Sequence, residues 1–286
     1  MKRVLLIGGT GQLGTAILQR WSECDIVAPP HAQLALEDAE RLGEALDRIR
    51  PDVLVNAAAF NDADRCETEL PRAFEVNAVA VGGAAGLARD AGAVFLTVST
   101  DYVFDGRADS PYCESDAPHP LSVYGVSKLA GEYLVRARRG RAFVVRTCGV
   151  YGSSGSSRSS FIERLLAHRE AKPMKVVADV CASPTFAGDL ADALQRLVRS
   201  EAYGLYHAVN TGAVSWYEFA REAVRQAGAD ITLEPIPAEQ WQAPAVRPRF
   251  SALSNAKLAG LGIAMPSWRD GLAAYLGSLG VSAGLS

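Results

Sequence analysis

The sequence is poor in several features that whole classes of function require. It has 286 residues but only five cysteines, Cys24, Cys66, Cys113, Cys148 and Cys181. They are odd in number, scattered and without a CxxC pair. That pattern reads as reduced thiols in a cytosolic protein, neither a disulfide framework nor a metal site. The four histidines, His31, His119, His168 and His207, show no ligand spacing either. Charge of one sign is missing: 29 Lys and Arg stand against 32 Asp and Glu, a net charge of -3 with no basic run. Nucleic acid is therefore not an expected partner. No apolar stretch approaches the ~18 residues of a membrane span. The opening MKRVLLIGG offers only VLLI before glycines intervene, too short for the apolar core of a signal peptide. No membrane association is expected, and a cytoplasmic location is.

What the chain does have is core: 49% of its residues are hydrophobic and 21% charged. That suffices for one large core or two closely joined domains. Short apolar runs, RVLLI at 3–7, DIVA at 25–28, PDVLVNAAA at 51–59, AVFLTVS at 93–99 and AFVVRT at 142–147, alternate with helical patterns over 16–21, 37–49, 71–91 and from Tyr124 to about Arg139. The strands are apolar throughout, as in a parallel sheet covered on both faces. The expected fold is α/β, a Rossmann-type doubly wound parallel sheet with a smaller C-terminal α/β lobe. Residues 1–150 would form the dinucleotide-binding domain. Residues 151–286 would be mainly the substrate-binding lobe, with about 174–209 returning to the first sheet. SSGSSRSS at 153–160 is a polar stretch that serves equally as a substrate lid or a plain connection. EPIPAEQWQAPAVRPRF at 234–250 is too rich in proline for a long helix and reads as an extended crossing segment.

Two short patterns carry chemistry. GGTGQLG places Gly8, Gly11 and Gly14 directly after the first strand and at the opening of the first helix. Glycines there allow a tight turn and let backbone N–H groups approach a pyrophosphate at the helix N-terminus. A turn without a ligand can use the same glycines. After the second strand, Pro29, Pro30 and His31 stand where an acid often holds the adenine ribose, and no arginine is there to clasp a 2′-phosphate. The choice between NADH and NADPH is not readable.

VYGVSKLAG puts Tyr124 and Lys128 four residues apart, on one helix face. Free tyrosine and lysine titrate near ~10 and ~10.4, so neither trades protons at neutral pH unaided. An adjacent ammonium would stabilise the phenolate and bring the tyrosine down. An amphipathic helix with a half-buried tyrosine and a solvated lysine gives the same pattern.

The glycine turn, NAAA at 56–59, STDYVFDG at 99–106 and YGVSK at 124–128 occur in one order on one alternating fold. Together they resemble the extended short-chain dehydrogenase/reductase superfamily, and STDYVFDG with YGVSKLAGE is most similar to the dTDP-4-dehydrorhamnose reductase family. RTCGVYG at 146–152, DVCASPTFAGDLAD at 179–192, WYEFA at 216–220, RPRFSALSNAKL at 247–258 and WRDGLAAYL at 268–276 resemble that family's later landmarks. Three positions depart from it. Gly149 stands where the family often has tryptophan, Val180 follows Asp179 in place of glutamine, and Phe250 replaces the asparagine of the RPxNS-like run.

The resemblance implies NADPH- or NADH-dependent reduction of a 4-keto group on a nucleotide-linked deoxysugar. It implies Tyr124 as proton donor, Lys128 as its modulator and ribose anchor, and Thr100 as a hydrogen-bond donor to the same oxygen, with Ser99 in reserve. It places Gly8, Thr10, Gly11, Gln12, Leu13 and Gly14 at the coenzyme pyrophosphate, and Asn56, Ala57, Ala58 and Ala59 along the coenzyme crevice. Asn77 would brace the loop beside it. Asp101, Tyr102 and Thr185 are implied near the sugar and Arg247 at the diphosphate, where a guanidinium matches phosphate oxygens. It further implies a homodimer as an option, with Mg2+ at the interface in some members. Another nucleotide sugar, an epimerase reaction, or a regulatory subunit that binds dinucleotide without turnover are the alternatives.

Overall fold

The computed structural model describes residues 1–155, 160–168 and 172–280. In order, β1 (Arg3–Ile7), α1 (Gln12–Arg20), β2 (Asp25–Val27), α2 (Ala39–Ile49), β3 (Val53–Asn56), α3 (Ala63–Thr68), α4 (Leu70–Phe74), α5 (Val81–Asp90), β4 (Val94–Thr100), α6 (Val123–Ala137) and β5 (Ala142–Thr147) build the first part. The rest comprises β6 (Val150–Tyr151), α7 (Phe161–Leu166), β7 (Met174–Val177), β8 (Cys181–Ala182), β9 (Thr185–Phe186), α8 (Ala187–Ser200), β10 (Gly204–His207), β11 (Val214–Ser215), α9 (Trp216–Ala227), β12 (Leu233–Ile236), α10 (Ala256–Ala259) and α11 (Trp268–Ser278).

Six parallel strands form the main sheet in the order β10-β5-β4-β3-β1-β2. Strand residues alternate between its two faces. Leu6, Leu96 and Val145 pack with Ile17, Trp21, Leu190 and Leu194 on one side. Leu5, Leu54 and Phe95 pack with Leu42, Leu46 and Ala84 on the other. Both faces are buried, which is why the strands read as unbroken apolar runs. The strand order reverses between β1 and β3, so a crevice opens at the carboxyl ends there.

Two expectations need correction. Of the span 174–209, α8 packs on α1 and β10 joins the sheet beside β5, but β7 does not return to the sheet. It pairs in parallel with β12, and Val176 enters a separate core around Tyr151, Phe219, Trp268 and Tyr275. The helix expected over 71–91 is interrupted by a π-helical turn over Glu75–Ala80. That turn holds Asn77, and such turns commonly mark functional positions. Of the polar stretch 153–160, residues 156–159 lie outside the described residues. Among the described residues no helix is long and apolar enough to cross a membrane.

Candidate active site

A cleft of about 860 Å³ lies over the carboxyl ends of β1, β3, β4 and β5. Its floor begins at the glycine turn. Gly8 adopts φ +86°, and a Cβ there would lie 2.7 Å from Ala58 N, so only glycine lets this turn meet the loop after β3. Gly11 is the N-cap of α1 and supplies no side-chain cap, leaving the helix's first N–H groups to a ligand. Gly11, Gln12 and Leu13 line the cleft. Gly14 acts one layer down: a Cβ would come within 2.7 Å of Gly9 Cα. Thr10 is exposed in the same turn.

Ala57, Ala58 and Ala59 line the opposite edge. Asn56 does not reach the cleft with its amide. It donates to Thr97 Oγ1 at 3.1 Å and accepts from Ala58 N at 3.0 Å, so it shapes the loop from below. Asn77 works similarly. Its amide takes both the N–H and the C=O of Phe60, at 2.9 and 3.0 Å, and donates to Ser127 Oγ at 3.0 Å. The π turn thus ties the cleft loop to α6.

The start of α6 is set by Ser122, whose hydroxyl caps Gly125 N at 3.2 Å. A side chain at Gly125 would collide with the Tyr102 carbonyl, so glycine brings α6 against the turn that follows β4. Tyr124 consequently lies edge-on to Tyr102, with ring centroids 5.7 Å apart. Thr100, Tyr102, Tyr124 and Lys128 share one cleft wall. Burial pushes the Tyr124 phenol up, and its hydrogen bond with Thr100 opposes that. The Lys128 ammonium, in the same cleft wall, donates to Val98 O at 2.7 Å, and burial brings Lys128 down to about 8 against the pull of Glu132. Tyr124 is therefore a neutral phenol at neutral pH, the proton-loaded form that a reduction needs.

Ser99 donates to Glu132 Oε1 at 2.5 Å, and Glu132 is pinned by Arg146 at 2.7 Å in a buried ion pair. That commits Ser99 away from the role held in reserve for it. Thr185 is fully buried; its hydroxyl donates to Ser183 O at 2.9 Å and accepts from Asn210 N at 3.2 Å. It pins its loop and is not brought into the cleft. Arg247 is in the cleft wall, but paired with Asp64 at 2.9 Å.

Several cleft residues escaped the sequence reading. Asp64 is one. Thr147, at the end of β5 opposite Thr100 in register, has a buried hydroxyl with no partner among the described residues. Arg164 on α7 and Trp241, 53% exposed in the proline-rich segment, line the cleft as well. The one available signal was Trp241, a large aromatic in a segment unable to bury it by regular packing. Of the three departures from the family pattern, Gly149 lines the cleft, while Val180 is buried and Phe250 packs against the cluster around Phe104 and Tyr112. Among the described residues no three His, Cys, Asp or Glu side chains gather where a metal ion could be held.

Comparison with known proteins places this geometry. The family model described as the RmlD substrate binding domain matches residues 1–280. The spore coat polysaccharide biosynthesis protein SpsK of Bacillus subtilis is 34% identical, over 96% of this chain and 97% of its own. The dTDP-4-dehydrorhamnose reductase of Burkholderia thailandensis is 36% identical, over 93% of this chain and 95% of its own. The crystal structure of dTDP-4-dehydrorhamnose reductase from Bacillus anthracis in complex with NADP superposes with a TM-score of 0.92 at 33% identity, covering 97% of this chain and 99% of that one.

Proposed function

The chain belongs to the dTDP-4-dehydrorhamnose reductase family of NAD(P)-dependent oxidoreductases, and we propose that the nucleotide sugar it reduces is dTDP-4-dehydro-L-rhamnose, giving dTDP-L-rhamnose. The observation that carries this reading is the placing of Thr100, Tyr124 and Lys128 on one wall of a cleft that also exposes the uncapped start of α1. The N–H groups at Gln12 and Leu13 would hold the coenzyme pyrophosphate, the small residues Ala57–Ala59 its edge, and Lys128 with Tyr124 the nicotinamide ribose. The reduced coenzyme supplies a hydride.

The chain's own groups then manage the proton. Charge develops on the sugar's O4 as the carbonyl carbon becomes tetrahedral. Tyr124 gives its phenolic proton to that oxygen, and Thr100 donates a hydrogen bond to it, so the oxygen is never left as a bare alkoxide. Arg247 and Arg164 supply positive charge for the diphosphate, and exposed Trp241 offers a face for the base. The unpartnered Thr147 hydroxyl provides one further contact for whichever ligand lies above β5.

A second reading, that the sugar is a different 4-keto nucleotide sugar, is favoured by Gly149. It adopts φ +51°, and Trp216 Cη2 lies 3.0 Å from where its Cβ would be. The cleft thus presents no side chain there.

The test is to mix the protein with NADPH, and separately NADH, add dTDP-4-dehydro-L-rhamnose and follow the nicotinamide absorbance. Loss of signal that falls about 10²- to 10⁴-fold in Tyr124→Phe supports the reading. Tight coenzyme binding without turnover of this sugar sinks the rhamnose assignment. Turnover of another keto sugar would then establish the second reading, and none would establish a regulatory role.

A further inference from the structure

Thr100 has one proton to donate and two directions in which to send it. Its Oγ1 accepts from Tyr102 N at 3.2 Å and lies 3.1 Å from Asp101 Oδ1. The Tyr124 phenol shares the cleft wall with it, and Thr100 pulls that phenol's pKa down. A hydroxyl carries one donor and two acceptor sites. Were Asp101 a carboxylate, it could only accept, and the Thr100 proton would point into the protein. The threonine would then have nothing to offer a substrate oxygen. With Asp101 as the neutral acid, the acid proton goes to Thr100, and the threonine's own proton turns toward Tyr124 and the cleft.

The surroundings of Asp101 favour the second arrangement. The residue is 3% exposed. Cys148 Sγ donates to Oδ2 at 3.0 Å, and the Ser251 hydroxyl also bonds the carboxyl group. A neutral acid fits both short contacts: its O–H at Oδ1 serves Thr100, and its carbonyl oxygen Oδ2 receives Cys148. Among the described residues no Lys, Arg or His side chain is hydrogen-bonded or ion-paired to it. The cations of this wall are engaged elsewhere, Arg247 with Asp64 and Lys128 with Val98 O. The titratable groups around it are Cys148 from beyond β5, Tyr102 beside it and Tyr124 from α6. Burial pushes all three up, so each is neutral at pH 7. A buried carboxylate with no cation is costly and takes up a proton instead. Burial also pushes Asp101 itself up, against the hydrogen bonds made to it.

We propose that Asp101 is a positioning residue, held as the neutral acid, which donates to Thr100 Oγ1 and so aims the threonine hydroxyl at the oxygen being reduced. Asp101 also lines the cleft, but the role assigned to it here is exerted through Thr100. The consequence for turnover rests on the reductase reading above. The protonation state does not.

Two measurements separate these. The first is the infrared difference spectrum between the wild type and Asp101→Asn at pH 7, without coenzyme or sugar. A protonated-carboxyl C=O band present only in the wild type is expected. A carboxylate band in its place overturns the proposal, whatever the enzyme's substrate. The second is steady-state kinetics of two variants whose NADPH affinity and melting temperature are checked first. Asparagine can still donate to Thr100 and accept from Cys148 and Ser251, so Asp101→Asn should keep most of kcat. Asp101→Leu removes the donor that fixes the threonine hydroxyl and should lose about 10²-fold in kcat with little change in KM, as for an oxyanion donor no longer held in position. An Asn variant that falls as far as the Leu variant overturns the proposal, and so does a Leu variant that keeps its kcat. Should Asp101→Leu fail to fold, the infrared result still decides. Absence of turnover in the wild type would count against the reductase reading alone.

Discussion

Arg247 and Asp64, 183 residues apart in sequence, close on each other in the cleft wall, with Nη2 to Oδ2 at 2.9 Å and Nη1 to Oδ1 at 3.2 Å. Ala245 completes the arrangement, donating its N–H to Asp64 and accepting from Arg247. The Arg247 hydrogen bonds hold the Asp64 carboxyl below the usual carboxylate range. The guanidinium is therefore charge-compensated before any substrate arrives, and a diphosphate must compete with Asp64 for it. Arg247→Met should raise KM for the nucleotide sugar about 10- to 100-fold, the worth of a charged hydrogen bond, with kcat little changed. Asp64→Asn should lower KM, because it removes the competing charge. Steady-state kinetics on both variants checks this. An increased KM in Asp64→Asn would mean that Asp64 aims the guanidinium and does not block it.

The glycine turn makes a contrast between two of its own members. At Gly14 a Cβ would lie 2.7 Å from Gly9 Cα and 2.8 Å from Gly9 C, backbone atoms that cannot swing aside. At Gly11 the nearest atom is 3.5 Å away, ordinary contact, and φ is -73°. Gly14→Ala should cost about 1–3 kcal/mol of stability through overpacking. Gly11→Ala should cost no more than about 1 kcal/mol, the preference of an N-cap for glycine over alanine. Urea melts of the coenzyme-free variants decide it, and equal losses would refute the geometric distinction.

The contrast between Asn56 and Ala57–Ala59 shows what a sequence makes legible. Apolar strands, the glycine turn and the order of the motifs locate the crevice, because burial and φ > 0 act on residue type directly. Side-chain direction is not encoded that way. Asn56 and Thr185 sit in motifs that pass near the cleft, yet each turns inward to satisfy backbone groups. The pairing of Arg247 with Asp64 depends on how the proline-rich segment crosses α3, a long-range outcome that no local pattern carries. The same holds for β7, whose apolar run fits the main sheet as well as it fits β12. Thr147 was the nearest miss: its register beside Thr100 follows once β4 and β5 are paired in parallel.

Glu132 continues the helix face of Tyr124 and Lys128 by one more turn, and it anchors the wall from behind. Its carboxylate meets Arg146 through Nε at 2.9 Å and Nη2 at 2.7 Å, with both side chains under 10% exposed. Glu132→Gln leaves the guanidinium buried without its counter-charge, which should cost about 3–5 kcal/mol. Glu132 is also the charge that holds Lys128 up, so the same variant should lower the Lys128 pKa further below about 8. The double variant Glu132→Gln/Arg146→Met should recover much of the stability. Denaturant melts of the three proteins test the coupling, and additive losses would show that the two side chains do not act as a pair.

Lys128 should act against the stability of the fold that needs it. Its ammonium is buried, bonded to one carbonyl, and its pKa is lowered from 10.5 to about 8. The folded value lies below the unfolded one. Below about pH 8 both states are protonated, and the folded state bears the full cost of the buried cation. Between there and the unfolded pKa the unfolded chain binds more protons, so this group makes stability rise with pH. Lys128→Met should thus be more stable than the wild type at pH 7, by an upper bound of about 3 kcal/mol at ~1.36 kcal/mol per pKa unit. The gap should narrow toward pH 10 while turnover is lost throughout. Melts of the coenzyme-free proteins at the two pH values would show it. A less stable variant at pH 7 would mean that the bond to Val98 O outweighs the desolvation of the charge.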